Sequence, residues 1–418
     1  MTNMLTITEA SHELNISVDT LRRWDKSGII KSHRNAQGHR LFNLDEIQRV
    51  QSKASARSEN SDEYTVLELQ TERRFAAIDL FAGAGGTALG LDRAGFDHLL
   101  LSEIDKDATA TLRSNKPDWP IVEGDVGDIN FEPFQGQVDL LEGGFPCQAF
   151  SYAGKSKGFE DTRGTLFFEF ARAVQETMPK VFVGENVKGL LRHDGGRTLQ
   201  TMIRALQSIQ DESGRGYRVA IKVLRAQYLD VAQKRERLII LGIRDDVDSP
   251  LLFPKERDYI VTLWEAISKC PPSAGQAYPA KKQRVLDLVP PGGYWRDLPE
   301  NLQREYLGGS FHLSGGKTGM ARRLSWDEPS LTLTCSPAQK QTERCHPAET
   351  RPLTLREYAR IQSFPDDWSF SGSLAAGYKQ IGNAVPVNMA FHIGLAVRAI
   401  LTGENRHEFD ELPPLPDY

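Results

Sequence analysis

Cys147 is the residue whose surroundings most suggest chemistry. It sits in Gly143-Gly144-Phe145-Pro146-Cys147-Gln148-Ala149-Phe150-Ser151. The preceding Val138-Asp139-Leu140-Leu141 is an apolar run that reads as a buried strand ending at a glycine turn. A thiol just past a strand end stands where open α/β sheets hold their ligands. Pro146 fixes its own φ and pushes Phe145 towards extended backbone, so the thiol rides on a stiff loop. A lone cysteine is more often a small buried hydrophobe than a nucleophile, and neighbouring groups must decide. Residues 181–187 read as a strand that delivers Glu185 at its C-terminal end. Residues 238–243 read as another, preceded by Gln233-Lys234-Arg235-Glu236-Arg237. A thiol, a carboxylate and two guanidiniums can therefore converge near strand edges. By themselves the two arginines read more simply as a surface ion pair with Glu236.

The elements that must position a co-substrate come earlier. A buried strand over 75–81, the turn Ala82-Gly83-Ala84-Gly85-Gly86 and a helix from Thr87 to about Ala94 bring backbone close to a nucleotide-like ligand. A second strand ends at Glu103, about twenty residues past the glycines, where a carboxylate can accept both ribose hydroxyls. Asp125 ends a third strand and is placed to accept from an adenine amino group. Either acid can equally be a helix cap. Ribose recognition does not separate NAD from S-adenosylmethionine. A pyrophosphate needs its helix N-terminus clear for negative charge. Here Asp79 precedes the loop and suits a cationic methionine moiety, which favours the methyl donor.

The 418 residues carry 26% charged and 39% apolar side chains, ordinary values for a soluble protein of two or three domains. No apolar run is expected to span a membrane and no signal pattern follows Met1, so the expectation is a cytoplasmic protein. Cys147, Cys270, Cys335 and Cys345 form no CxxC pair, which argues against zinc and disulfides; Cys335 with Cys345-His346 lacks a fourth ligand. A net charge of −5 neither suggests nor forbids nucleic acid.

The first fifty residues form a separate head. Residues 8–14 read as a short helix, and Ser17 can cap a second over 18–26 that Gly28 ends. Leu21 and Trp24 face the first helix, while Arg22, Arg23 and Lys26 point elsewhere. A hairpin over 33–42 carries Gly38-His39-Arg40. Residues 4–50 resemble the winged helix-turn-helix heads of MerR-type regulators, including Trp24, Gly38-His39-Arg40 and Phe42. The resemblance implies DNA binding through Arg22, Arg23, Lys26 and Arg40. Residues 51–74 are polar and charged and read as a flexible linker. From about 246 to 350 prolines, aromatics and basic loops replace the strand–helix rhythm, as suits phosphate and base-edge contacts. Gly316-Lys317-Thr318 is not a P-loop, because Phe311 stands where its first glycine would fall. The tail after Gly403 is acidic and proline-rich and is expected to fray.

Taken together, the motifs resemble the bacterial C5-cytosine DNA methyltransferases. They are Asp79-Leu80-Phe81-Ala82-Gly83, Phe145-Pro146-Cys147-Gln148, Glu185-Asn186-Val187 and Gln233-x-Arg235-x-Arg237. Arg351-x-x-Thr354-x-Arg356-Glu357-x-Ala359-Arg360-x-Gln362-x-Phe364-Pro365 and Gly382-Asn383-x-Val385-Pro386 complete the set in the family's order over 75–403. The resemblance implies a doubly wound α/β domain over 75–245 and 351–403, with a target-recognition domain inserted at 246–350. It implies Cys147 as nucleophile at cytosine carbon 6, Glu185 on ring nitrogen 3, Arg237 on the base carbonyl and Arg235 lining the pocket near the thiol. It assigns Asp79, Phe81, Gly83, Gly85, Gly86, Glu103, Asp125, Pro146, Asn383 and Val385 to S-adenosylmethionine. The substrate implied is a cytosine flipped out of duplex DNA, and a restriction endonuclease is an implied partner. The segment after Cys147 resembles a mobile active-site loop. Two rivals remain: a regulator whose enzymatic body is secondary, and the same chemistry on RNA.

Overall fold

The computed structural model describes residues 4–14, 18–27, 30–35, 38–45, 47, 64–146, 166–312 and 317–416. Cys147, the loop that follows it and the caps expected at Ser17 and Gly28 lie outside the described residues. The chain divides into two compact units, Met1–Thr65 with Val261–Ile361, and Val66–Ile260 with Gln362–Tyr418.

The second unit is built on one seven-stranded sheet. Its strands are β1 (Phe75–Leu80), β2 (Phe96–Glu103), β3 (Ile121–Glu123), β4 (Leu140–Gly143), β5 (Val181–Val187), β6 (Tyr217–Arg225) and β7 (Glu236–Arg244), in the order β3-β2-β1-β4-β5-β7-β6. β7 runs antiparallel to both its neighbours, while the pairings among the first five strands are parallel. Strand order reverses between β1 and β4, so a ligand crevice belongs at their C-terminal ends.

The alternation of side chains along each strand builds two cores. Ala77, Leu140, Val181, Val183, Ile239 and Leu241 enter one; Ile78, Leu141, Phe182, Leu238 and Ile240 enter the other. The first is covered by helix α1 (Gly86–Arg93) and the long α6 (Val387–Thr402). Leu199, Met202, Ile203 and Leu206 of α4 (Arg197–Gln207) and Phe167, Phe170 and Val174 of α3 (Leu166–Thr177) fill the second. Helix α2 (Lys106–Asn115) follows β2, and α5 (Leu374–Asn383) precedes α6. At Gly90 a methyl group would lie 2.5 Å from the Ala390 methyl and from the Val387 carbonyl, so only glycine lets α1 and α6 approach this closely.

Four expectations are revised here. Residues 374–402 are long and apolar enough to cross a membrane by composition, but they are mostly buried in this core and α5 gives way to α6 at Ala384-Val385-Pro386. The far end of the expected linker is a strap: Leu67 N–H donates to Asn388 Oδ1 (3.0 Å), Leu69 N–H to the Arg93 carbonyl (2.9 Å), and both leucines pack on the core. The described part of the tail, up to residue 416, is held in place rather than frayed. Asp410–Leu412 pairs antiparallel with Leu251–Phe253, and Leu415 N–H donates to the Val219 carbonyl. Leu251, Leu252 and Phe253 are buried in the first of the two cores, which is why that unit runs on to Ile260, past the expected boundary at 245.

In the first unit, the head holds Met4–Thr6, Ile7–Glu13, Val18–Ser27, Ser32–Arg34 and Arg40–Asn43 around buried Ala10, Leu21, Ile30, Phe42 and Ile47. Thr6 and Glu9 close a capping box at its first helix. Residues 261–361 carry short helices, including Leu263–Ile267, Ala280–Leu286 and Glu300–Leu307, and a core of Tyr278, Leu286, Val289, Trp295, Leu298 and Met320. Buried charge ties these loops together. Arg323 donates to the carbonyls of Leu286, Val289 and His346 and to Thr350 Oγ1. Glu343, with no exposed side-chain surface, pairs with Lys282 and accepts from Tyr306.

Candidate active site

Antiparallel pairing of β5 with β7 places Glu185 opposite Ile239 and Arg237 opposite Val187. Both polar side chains end beside each other at the strand ends. Arg237 Nε lies 2.5 Å from Glu185 Oε1, and each side chain is only 13% exposed. The contact is a charge pair rather than an aligned hydrogen bond, since Oε1 is buried with no hydrogen-bond partner among the described residues. Glu185 is thus oriented by a cation yet keeps acceptor capacity for a ligand.

The chain leading into Cys147 is tied to the same place. Asn186 Nδ2 donates to the Phe145 carbonyl (2.7 Å), and the Phe145 ring is held between Phe167 and Phe170 at 5.3 Å from each. A methyl group on Gly144 would sit 3.3 Å from Glu185 Oε2. Pro146, the last described residue before the thiol, is exposed.

The glycine turn forms as a cradle. Phe81 turns the chain at a φ of 62°, and Gly83 and Gly85 follow at 55° and 88°. A side chain on Gly85 would meet Leu112 and Trp368, and one on Gly86 would collide with the Val385 carbonyl. Val385 is therefore brought against the turn, and exposed Asn383 lies two residues before it at the end of α5. Glu103 accepts from the N–H groups of Gly83 (2.7 Å), Ile104 (2.9 Å) and Asp105 (2.7 Å), which pins its carboxylate over the turn. Asp125 is exposed and commits Oδ1 to Gly127 N–H as a cap (2.9 Å). Asp79 is 1% exposed and neither of its oxygens has a hydrogen-bond partner among the described residues. Burial above all, against a lowering contact from Glu142 and with the nearby Glu103 charge, raises its carboxyl to about 7. A buried, unpartnered carboxylate behind a glycine turn, with an anchored acid over it, fits a nucleoside with a cationic tail.

Arg235 is held against the chain that returns to the cofactor half. It is 2% exposed, and Nη2 donates to the carbonyls of Gly382 (3.2 Å) and Asn383 (3.3 Å). Beside it Gln233 Nε2 donates to Gln362 Oε1 (2.8 Å), and Gln362 Nε2 donates in turn to Ile381 (2.7 Å). The Gln233–Arg235 segment thus anchors the returning chain that carries Asn383 and Val385. Glu236 pairs with Lys188 rather than with an arginine side chain.

Two residues emerge that the sequence alone did not single out. Ile104 is a 66% exposed hydrophobe directly after Glu103, an apolar surface at the rim of the cradle. Glu142 is a 3% exposed acid opposite Asp79 on β4. An isolated acid in an apolar run was the available signal for it. In the head, Arg22 is exposed, Arg40 pairs with Asp25 (2.7 Å), and the side chains of Arg23 and Lys26 lie outside the described residues. No group of three or more His, Cys, Asp or Glu gathers as a metal site among the described residues.

Residues 75–399 match the C-5 cytosine-specific DNA methylase family, and residues 6–42 the MerR family regulatory protein. The chain is 52% identical over 412 residues to the Type II methyltransferase M.Eco47II of Escherichia coli, covering 96% of both chains. It is 54% identical over 361 residues to the Type II methyltransferase M.PspPI of a Psychrobacter strain, covering 84% of this chain and 85% of that one. Among solved structures, an E. coli prophage chain described as a DNA modification methyltransferase aligns with a TM-score of 0.56 at 25% identity. That alignment covers 79% of this chain and all of the other.

Proposed function

The chain belongs to the C-5 cytosine-specific DNA methylase family, and from that premise we propose how its residues divide the work. S-adenosylmethionine supplies an electrophilic methyl group. Cytosine carbon 5 is too poor a nucleophile to take it unaided. Cys147 adds through its thiolate to carbon 6 and makes carbon 5 enamine-like. Glu185 protonates or holds ring nitrogen 3 and relieves the charge that the addition places in the ring. Arg237 orients Glu185 and reaches the base carbonyl. Once carbon 5 carries the methyl group and loses its proton, Cys147 is expelled. Arg235 is a positioning residue that holds Gly382 and Asn383 in the cofactor cradle. Asp79, Phe81, Gly83, Gly85, Gly86, Glu103, Asp125, Pro146, Asn383 and Val385 bind the cofactor.

The observation that supports this reading most is the buried Glu185–Arg237 pair beside the chain that Asn186 ties down just before Cys147. A duplex buries carbon 6 in the stack, so the target base must be flipped out. The test is a duplex carrying 5-fluorocytosine, whose fluorine cannot leave as a proton does. Incubation with S-adenosylmethionine should trap a denaturation-stable protein–DNA adduct. Absence of the adduct, or transfer to tRNA in preference to duplex DNA, would overturn the reading.

Target recognition falls to the part of 246–350 that follows Ile260, and the enzyme works in the cytoplasm on chromosomal DNA. The Type II naming of both relatives supports a restriction–modification setting with a cognate endonuclease. The MerR match supports a second role for the head, binding a promoter through Arg22, Arg23, Lys26 and Arg40. One head buries little surface, so two should bind half-sites about one helical turn apart.

A further inference from the structure

Glu142 is a buried acid without a place in this mechanism. It lies on β4 at the switch of strand order, in register with Asp79 on β1 and with Val183 on β5. Residues two apart on a strand share a face, so Glu185 lies on the same side as Val183. Asp79, Glu142 and Glu185 therefore form an acidic row across three adjacent strands, on the face that the glycine turn borders. The charged groups acting on the row are Glu103 on Asp79, Glu185 on Glu142, and Arg237 on Glu185. No cation among the described residues pairs with Asp79 or Glu142.

Asp79 and Glu142 in this space cannot both be ionised, because each is desolvated and repels the other. Burial, then the Asp79 charge, then the Glu185 charge all push Glu142 well above the usual carboxylate range. Asp79 lacks a permanent donor: its oxygens are buried and unpartnered when Glu142 is counted as a carboxylate. A proton on Glu142 supplies the missing hydrogen bond. We propose that Glu142 is a positioning residue for the cofactor, acting in its protonated form as the donor to Asp79. The pair then holds a single negative charge turned to the cationic sulfonium end of S-adenosylmethionine. The neutral product S-adenosylhomocysteine offers that charge nothing. This inference rests on the cofactor reading above.

The sign of the pH effect follows. A cation beside Asp79 favours its ionised form, so binding the methyl donor releases a proton where Asp79 is partly protonated, near pH 7. Affinity for the methyl donor should rise with pH, by up to about tenfold per unit below that range, as one linked proton requires. Affinity for the neutral product should stay flat.

The experiment is calorimetric titration of the full chain with each ligand, in buffers of different ionisation enthalpy, from pH 6 to pH 8. The wild type should release a fraction of a proton with S-adenosylmethionine and none with S-adenosylhomocysteine. Glu142→Gln keeps a neutral donor and should bind both ligands as the wild type does. It should also lose a protonated-carboxyl band from the infrared spectrum. Glu142→Leu removes the donor. At pH 7 it should bind S-adenosylmethionine at least about tenfold more weakly while holding S-adenosylhomocysteine, whose binding also reports an intact fold. Equal weakening of both ligands, equal loss in the Gln and Leu variants, or no proton release with the methyl donor would each overturn the inference. Failure of the wild type to bind S-adenosylmethionine at all would instead overturn the cofactor reading.

Discussion

The catalytic unit and the region 261–361 fix polar side chains by different physics. In the catalytic unit the backbone does the positioning. Glu185 and Arg237 meet because β5 and β7 pair in one register, and Asp79 meets Glu142 because β1 and β4 do. A slip of one residue would turn each of these side chains to the other face. In 261–361 side chains hold the backbone. Arg323 threads into three carbonyls, and Glu343 gathers Lys282 and Tyr306. A sheet of fixed register suits chemistry, which must be identical for every substrate. A scaffold of loops pinned by buried charge can exchange its exposed residues while keeping its frame.

This contrast makes substitutions separable. The largest effect should come from Cys147→Ser, which removes the nucleophile: methyl transfer and adduct trapping are lost, while ligand binding and melting temperature hold. Near wild-type methylation by that variant would sink the covalent route. Glu185→Gln keeps the size and loses the acid. Its turnover should fall about a hundredfold or more with a modest change in affinity, read by single-turnover kinetics. An unchanged chemical step would remove Glu185 from its role.

Arg323→Met should act the other way. It leaves the buried Val289 and His346 carbonyls without a donor among the described residues, at a cost of about 2 kcal/mol or more, concentrated in 261–361. Hydrogen exchange should rise there, DNA methylation should suffer, and cofactor affinity should hold. Loss of cofactor binding would mean that the two regions are not separable in this way. The smallest effect should follow removal of residues 409–418. That takes away the strand paired with Leu251–Phe253 and the Lys222–Asp410 ion pair (2.6 Å), whose partners are 19% and 42% exposed. A loss of about 1–2 kcal/mol, seen as a lower melting temperature with unchanged turnover, is expected from a short edge strand and a partly screened pair.

The sequence by itself pointed to the residues proposed for the chemistry and determined which strands carry them. Strand-ending acids, a thiol behind a proline and a glycine turn are local patterns, and each rests on a few neighbouring positions. Apolar runs placed β1, β4, β5 and β7, and helical spacing placed the head's core at Ala10 and Leu21. Only the tertiary structure decided how these pieces face one another. Arg235 and Arg237 are two residues apart, and spacing alone treats them alike. The fold buries one against Gly382 and Asn383 and turns the other to Glu185. Glu142 follows an apolar run in sequence, and only the parallel register of β1 and β4 sets it beside Asp79. The tail and the strap at 66–73 read as loose because their polarity is a local property. Their order comes from pairing with residues more than a hundred positions away, as Leu412 with Leu251 and Leu67 with Asn388. Periodicity reports which face of an element is apolar; partners distant in sequence are chosen by burial and hydrogen bonding over the whole fold, and those terms exist only once the chain has closed on itself.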